Sequence, residues 1–408
     1  MLFAVVAVGF VLRVAWVVFA ARTPIGLHDP ANYLLYGERI ASGFGYTTPA
    51  GEATAYYPVG YPALLGVAEW IAQLLPGEHV LGAALALNVV TGTLTIGLVG
   101  LLGERIFNRR IGTIAAVLVA VLPNVVFHTA AVLSETVFNA AVAGALLTLC
   151  WRPWREPWST PRTVGAAALV ACAALVRPVA LVLVPAVLLA WWLGERRKLP
   201  IRRSVIFVVA VLVVVAPWLL RNWSASGRPT LAASTGDNLC IGNNPDATGA
   251  FNLSPVCFGD VAPETFITGT DGRDAKLTGR ALRWAAGHLT SEPALVLWRT
   301  YYTFENDHDA LRAIQAYGDD QWLDPRHEAV LSTIADGAYF ALLGFAALGA
   351  VLIVRGDRRD DRATFLLWVA AGFVAALWPF FGDVRFHFPV VLALTIPAAL
   401  AVATVLDR

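Results

Sequence analysis

Charge is scarce in this chain: 14% of its 408 residues are Asp, Glu, Lys or Arg, against 57% apolar. No soluble domain of this size needs so apolar a composition, so an integral membrane protein without a separate soluble domain is expected. Lysine is nearly absent, with Lys198 and Lys276 beside 28 Arg, and the net charge is +1. That balance gives no reason to expect nucleic acid as a partner, and the arginine bias fits a G+C-rich bacterial coding sequence. The first residues lack a basic region and a small-residue cleavage pattern, so 1–21 reads as an uncleaved anchor and not a removable signal peptide. There is no internal repeat of fixed period and no low-complexity tail.

What is present is a succession of apolar runs about as long as a bilayer crossing. They predict an all-α polytopic bundle of about ten transmembrane helices, at 1–21, 79–103, 112–123, 133–150, 164–176, 180–193, 204–220, 331–354, 364–381 and 388–406. The run from Pro58 to Pro76 is broken by Gly, Pro and Glu69 and reads as an interfacial or re-entrant helix pair. Three parts follow: a membrane core 1–220 containing a first loop at 22–78, a long hydrophilic loop region 221–328, and C-terminal membrane helices 329–408. Sixteen of the thirty Lys and Arg fall in 104–110, 151–162, 195–203, 355–362 and 407–408. By the positive-inside rule those segments are cytoplasmic, which puts the first loop and 221–328 outside. All seven His fall outside the cytoplasmic set. The expected location is a bacterial plasma (inner) membrane.

The first loop is where the polar chemistry concentrates. It runs GLHDPANYLLYGERIASGFGYTTPAGEATAYYPVGYP over 26–62 and holds the first acid of the chain, Asp29. Asp followed by Pro is a good helix N-cap, opening a helix from Pro30 to about Ser42. Capping explains the residue type but not the gathering of His28, Asn32, Tyr33, Tyr36 and Tyr57 around it. Glu135 falls near the outer end of the fourth span, where a carboxylate also suits the helix dipole. The two short runs at 164–176 and 180–193 predict a turn at Arg177-Pro178 recessed below the outer surface, with Arg177 at the floor of a cavity. Arg221 and Asn222 close the seventh span on the outside, and Arg385 with His387 lie in the outer turn before the last. Arg13, at mid-membrane, needs a polar partner. Cys240 and Cys257 share an oxidising compartment and are expected to pair, whereas Cys150 and Cys172 read as packing residues. Lys276 to Tyr302 reads as one helical stretch whose aromatic end, LVLWRTYY, favours headgroups. The 306–309 cluster, Asn-Asp-His-Asp, is another possible metal site, which a solvated loop explains more simply.

Taken together, HDPANYLLYGERIASGFGY, YYPVGYPALLG, LSETVFN, LVRP, PWLLRNW, NLCIGNNPDATG and VRFHFPVV resemble the bacterial polyprenyl-phosphate-sugar glycosyltransferases of the GT-C superfamily. The similarity is closest to the glycosyltransferase family 39-like branch of protein O-mannosyltransferases and aminoarabinose transferases. The resemblance implies an inverting transfer of a hexose or pentose on the outer face. The donor would be a polyprenyl-phosphate sugar held in membrane lipid, and the acceptor a cell-envelope glycan, lipid or protein. Asp29 would be the catalytic base and Glu135 a second catalytic acid residue. A phosphate leaving group needs fixed positive charge, for which Arg177, Arg221, Arg385 and His387 are the candidates. His28, Tyr33, Tyr57, Asn222 and Asn243, with its neighbour Asn244, are candidate substrate contacts. Many relatives carry two near-adjacent acids in the first loop, whereas Asp29 stands beside His28; Mg2+ or Mn2+ on His28, Asp29 and Glu135 requires the fold to bring them together. The alternative reading is a transporter or flippase of a lipid-linked sugar, but such proteins usually place ionisable groups near the midplane and show paired halves, and here most of the polar residues singled out above cluster at one face.

Overall fold

The computed structural model describes all residues except 78, 155, 157, 195–197, 260–267, 357–359 and 408. Among the described residues the chain is helical throughout, with three isolated β-bridges and no strand. Each predicted apolar run is a helix. Among the described residues five helices are long and apolar enough to cross a membrane by themselves, Leu2–Ala20, Val80–Ile106, Ile201–Ser226, Pro325–Arg355 and Val384–Leu406. Glu135–Cys150, Thr160–Val176 and Pro178–Gly194 are shorter apolar helices, the last two flanking Arg177. The multi-pass membrane character rests on these elements.

The buried middle is built largely from Ala, Val and Leu of the central helices, small and apolar side chains that let membrane helices approach closely. Arg13 is fully buried there. Its partners are carbonyls, not an acid: the guanidinium donates to Gly9 (3.1 Å), Val119 (3.1 Å) and Ala120 (3.3 Å). Val119 and Ala120 belong to the last turn of Arg109–Val121, where carbonyls have no intrahelical donor and a cation is favoured.

The first loop folds back over this middle. Its helix, Asp29–Ala41, stops at Gly43 (φ 80°). There Gly43 N–H reaches Ile40 and Phe44 N–H reaches Arg39, the paired bonds of a left-handed C-terminal cap that glycine adopts without strain. The stretch read as a helix pair is one helix, Gly60–Ala72, packed against Asp29–Ala41. Gly60 lies against the backbone of Leu175 and Val176, where a Cβ would come within 2.6 Å. That close approach ties the first loop to the segment that carries Arg177. Further ties run outward, from Ala55 N–H to Thr268 (2.8 Å), from Ala233 N–H to Ala55 (2.7 Å) and from Ile25 N–H to Tyr317 (2.9 Å).

Two other expectations change. The 276–302 stretch is two helices, Arg273–Gly287 and Glu292–Phe304, because Pro293 fits only the first turn of a helix. The 306–309 cluster is not solvated: Asp307 and Asp309 are buried. Cys240 and Cys257 are joined by a disulfide with Cα atoms 5.9 Å apart, against Leu277. Thiol labelling of the denatured, unreduced protein is expected to leave both unlabelled, and reduction to cost the region about 3 kcal/mol; free thiols at both positions would contradict the bridge. Cys150 is buried, as a packing residue should be, and Cys172 is exposed on the surface of its apolar helix.

Candidate active site

The N-cap of the first-loop helix is His28, and Asp29 is its first helical residue, with no side-chain capping bond. The carboxylate is used elsewhere. Its Oδ1 accepts from Tyr57 Oη at 2.9 Å and its Oδ2 from Arg385 Nη1 at 2.9 Å, leaving further lone pairs on both oxygens. Asn32 Nδ2 in turn donates to Tyr57 Oη (3.3 Å), and Tyr46 Oη to the Tyr57 carbonyl (3.0 Å). Tyr33 and Tyr61 pack edge to face beneath them, ring centroids 5.1 Å apart, and Tyr33 lies 5.0 Å from Tyr57. Burial, then the Asp29 charge, hold the Tyr57 phenol well above its ordinary pKa, so it stays a donor to the carboxylate. The aromatic content of the loop therefore has a purpose: it fixes one carboxylate that remains one-third exposed, at 34%.

Behind Asp29 lies a second carboxylate. Glu135 opens the helix Glu135–Cys150 and is fully buried. Its Oε1 accepts from Arg177 (2.6 Å) and from Arg385 Nε (2.8 Å). Arg385 thus bridges the two acids through different nitrogens of one planar group, a geometry only guanidinium supplies. The two arginines keep 18% and 24% of their side chains exposed, so neither is sealed off, and Asp29 beside Arg385 is likewise partly exposed. Two negative and two positive side chains balance before any substrate enters. Asp383 shapes the turn, accepting the Arg385 backbone N–H at 2.9 Å; burial pushes its carboxyl up, with the Arg385 charge opposing. Asp383 had no motif to mark it in the sequence beyond the GDVRFHF turn itself.

The remaining candidates separate from this cluster. Glu135 is too buried to meet a substrate and instead holds the two guanidiniums. Arg221 donates to the carbonyls of Thr54 and Tyr46 (2.9 Å) and to Asn222 (2.9 Å), and lies over the Trp218 ring. It staples the first loop to the end of Ile201–Ser226. Asn222 is buried and donates to Thr230 O (2.7 Å). Asn243 donates to Leu239 and Pro379 carbonyls and accepts from Arg299, and Asn244 donates to Cys240 O; both are turn-forming residues. His387 is fully buried, with both ring nitrogens bonded to protein, and cannot contact a phosphate in this arrangement. His28 is exposed and stacked on Tyr317 at 4.6 Å. Arg299, which sequence reasoning passed over inside LVLWRTYY, is a buried hub bonded to Gly242 O, Asn243, Trp378 O and Glu292.

Among the described residues no group of three or more His, Cys, Asp or Glu side chains is placed to hold a metal ion. His28 turns to Tyr317, and Arg385 fills the gap between Asp29 and Glu135. A hard divalent cation wants several oxygens and does not fit this donor set while a guanidinium bridges it.

Residues 63–220 match the family described as dolichyl-phosphate-mannose-protein mannosyltransferase. The chain is similar in structure to the archaeal oligosaccharyltransferase AglB from Archaeoglobus fulgidus, solved with an inhibitory peptide and a dolichol-phosphate (TM-score 0.58, 16% identity, 100% of this chain and 50% of that one). It is equally similar to that oligosaccharyltransferase tethered to an acceptor peptide containing the NVT sequon (TM-score 0.58, 17% identity, 100% and 50%). ArnT from Cupriavidus metallidurans, bound to undecaprenyl phosphate, is matched at TM-score 0.48 and 16% identity over 99% of this chain and 77% of that one. No curated protein matches by sequence. The chain spans about half the length of the oligosaccharyltransferase. Over 63–220 it therefore has the sequence pattern of the mannosyltransferase family, and over its whole length a fold like that of the matched half of the oligosaccharyltransferase.

Proposed function

We propose that the chain is a membrane glycosyltransferase that moves a sugar from a polyprenyl-phosphate donor to an extracytoplasmic acceptor with inversion at the anomeric carbon. The observation that carries this reading is the half-open Asp29 carboxylate set against two guanidiniums, Arg385 and Arg177, that share a buried acid. Asp29 takes the proton of the acceptor hydroxyl or amine. The acceptor atom bonds to the anomeric carbon as the bond to the phosphate oxygen breaks. The negative charge that grows on the departing polyprenyl phosphate meets Arg177 and Arg385. A phosphate drawing on Arg385 also relaxes its hold on Asp29 Oδ2, leaving that oxygen free for the proton. Of the four donor-phosphate candidates the geometry favours these two. Tyr57, Tyr33 and Asn32 orient the base.

The test is release of polyprenyl phosphate by the purified chain in lipid nanodiscs, given a polyprenyl-phosphate sugar and candidate acceptors. Movement of intact donor across vesicles without release would favour the flippase reading instead. The arginine-rich segments 104–110 and 195–203 support an outward-facing site in a bacterial plasma membrane. A reporter fused after residue 408 is expected to read as cytoplasmic; an extracytoplasmic signal would reverse the orientation.

A further inference from the structure

Beside the Asp29 cluster lies a second buried polar group that the proposed chemistry leaves unused. The segment between Glu292–Phe304 and Asp309–Tyr317 inserts its acids into the bundle. Asn124 Nδ2 donates to both Asp307 Oδ1 (2.6 Å) and Asp309 Oδ1 (2.7 Å). His387 Nε2 lies 2.9 Å from Asp307 Oδ1 and its Nδ1 2.6 Å from Thr303 O. His128 Nε2 lies 3.4 Å from Asp309 Oδ2. A third pair, His308 and Asp336 (2.9 Å), closes the edge. His128, His387 and Asn124 are fully buried, Asp307 and Asp309 nearly so.

The His387 contacts demand a proton. A carbonyl oxygen only accepts, so Nδ1 must donate to Thr303. The other nitrogen faces a carboxylate, and that contact is a hydrogen bond only if the imidazole–carboxylate pair holds one further proton. Removing it would set a buried carboxylate against an imidazole lone pair, with the neutral Asn124 amide as its donor and no cation beside it, which is costly. Asp307 and the Thr303 carbonyl contact the ring, Asp309 acts on it through its charge, and Tyr339 (4.8 Å) and Phe304 (5.9 Å) stack on it; His128 and Asn124 reach the cluster through Asp309, Asp336 through the Asp307 N–H, and Asp383 and Arg385 lie two to four residues before it in sequence. Burial raises the Asp307 carboxyl, opposed by the His387 contact; at Asp309 burial is outweighed by His128 and Asn124, which hold it below the usual range.

Position gives this cluster its consequence. His387 is two residues from Arg385 in the short turn Val384–His387. His128 is followed by the segment that leads into Glu135, and its carbonyl accepts from Thr136 Oγ1 (3.3 Å). Both residues that organise the site are therefore tied to the 305–309 segment. We propose that His387 and Asp307 are positioning residues, whose shared proton locks the Val384–His387 turn to that segment and so sets the Arg385 guanidinium across Asp29 and Glu135. His128 and Asp309 brace the same lock from the Glu135 side. The inference rests on the transferase reading for its effect on turnover but not for the lock itself.

The experiment uses the full chain in lipid nanodiscs, as wild type and as the double variant His387→Gln/Asp307→Asn, between about pH 5 and 9. Unfolding temperature and release of undecaprenyl phosphate from an undecaprenyl-phosphate sugar are both read. In the wild type both should fall as pH rises above neutrality: the folded pair needs its proton, so the stability it adds is present at low pH and lost as that proton leaves. In the double variant, which has no such proton, both alkaline declines should flatten, with turnover at neutral pH about 10- to 100-fold lower because Arg385 is misplaced. Identical alkaline declines of unfolding temperature in the two proteins would overturn the lock. A flattened unfolding profile with an unchanged turnover profile would overturn the positioning role. If the wild type releases nothing from any lipid-linked sugar, the transferase reading fails separately; binding of undecaprenyl phosphate against pH then replaces turnover, with the same two outcomes. Should the double variant not fold, His128→Gln/Asp309→Asn takes its place, with a smaller flattening expected from the longer contact.

Discussion

Asp29→Asn is expected to lower release of polyprenyl phosphate by about 10²- to 10⁴-fold, the contribution a positioned general base makes, while leaving the protein folded. Asparagine has the same shape, and its carbonyl oxygen can still accept from Tyr57. What it cannot do is take a proton from the acceptor. The change sits at a partly exposed position whose neighbours are held by other contacts, since Tyr57 keeps Asn32 and Arg385 keeps Glu135. Binding of undecaprenyl phosphate should therefore survive, because the guanidiniums remain, and the loss should appear in kcat. Asp29→Glu should recover part of the activity if reach alone is wrong. Equal turnover by wild type and Asp29→Asn would remove Asp29 from the chemistry.

Arg385→Lys should be nearly as damaging, with turnover reduced about 10²- to 10³-fold, the scale of losing one donor aimed at developing charge. The substitution keeps the charge, which makes it a test of geometry. Nε binds Glu135 while Nη1 binds Asp29; an ammonium on a flexible stem cannot hold both at once. Arg177→Lys should cost less, because Arg177 touches only Glu135 of the two acids. Single-turnover cleavage of the donor separates this effect from acceptor binding. Arg385→Lys within a few fold of wild type would mean that the bridge is incidental.

Much of the fold was legible because bilayer chemistry leaves few choices. A long apolar run in this composition must be helical to satisfy its backbone, and each run found in the sequence is a helix. Where breaks fell was less legible. Pro293 split a stretch that reads as one helix, and the 58–76 run holds one helix instead of two. Asp29, Arg177 and Arg385 could be singled out because each is a charge next to a proline, glycine or aromatic turn at a helix end. Arg221 looked the same by that criterion, yet it staples carbonyls. His387 looked like a phosphate ligand and is a buried partner of Asp307.

The sequence by itself determined that this is a multi-helix membrane chain with its charges at helix ends and loops, because apolar length and charge placement are properties of each segment alone. It also singled out the first loop, since no cap or turn needs so many tyrosines around one acid. Only the tertiary structure decided which charges meet. Asp29, Glu135, Arg177 and Arg385 lie as many as 356 residues apart along the chain, and in the second cluster His387 lies 80 residues from Asp307. Pairing between distant side chains depends on how helices pack and where loops return, and a local pattern carries no record of that.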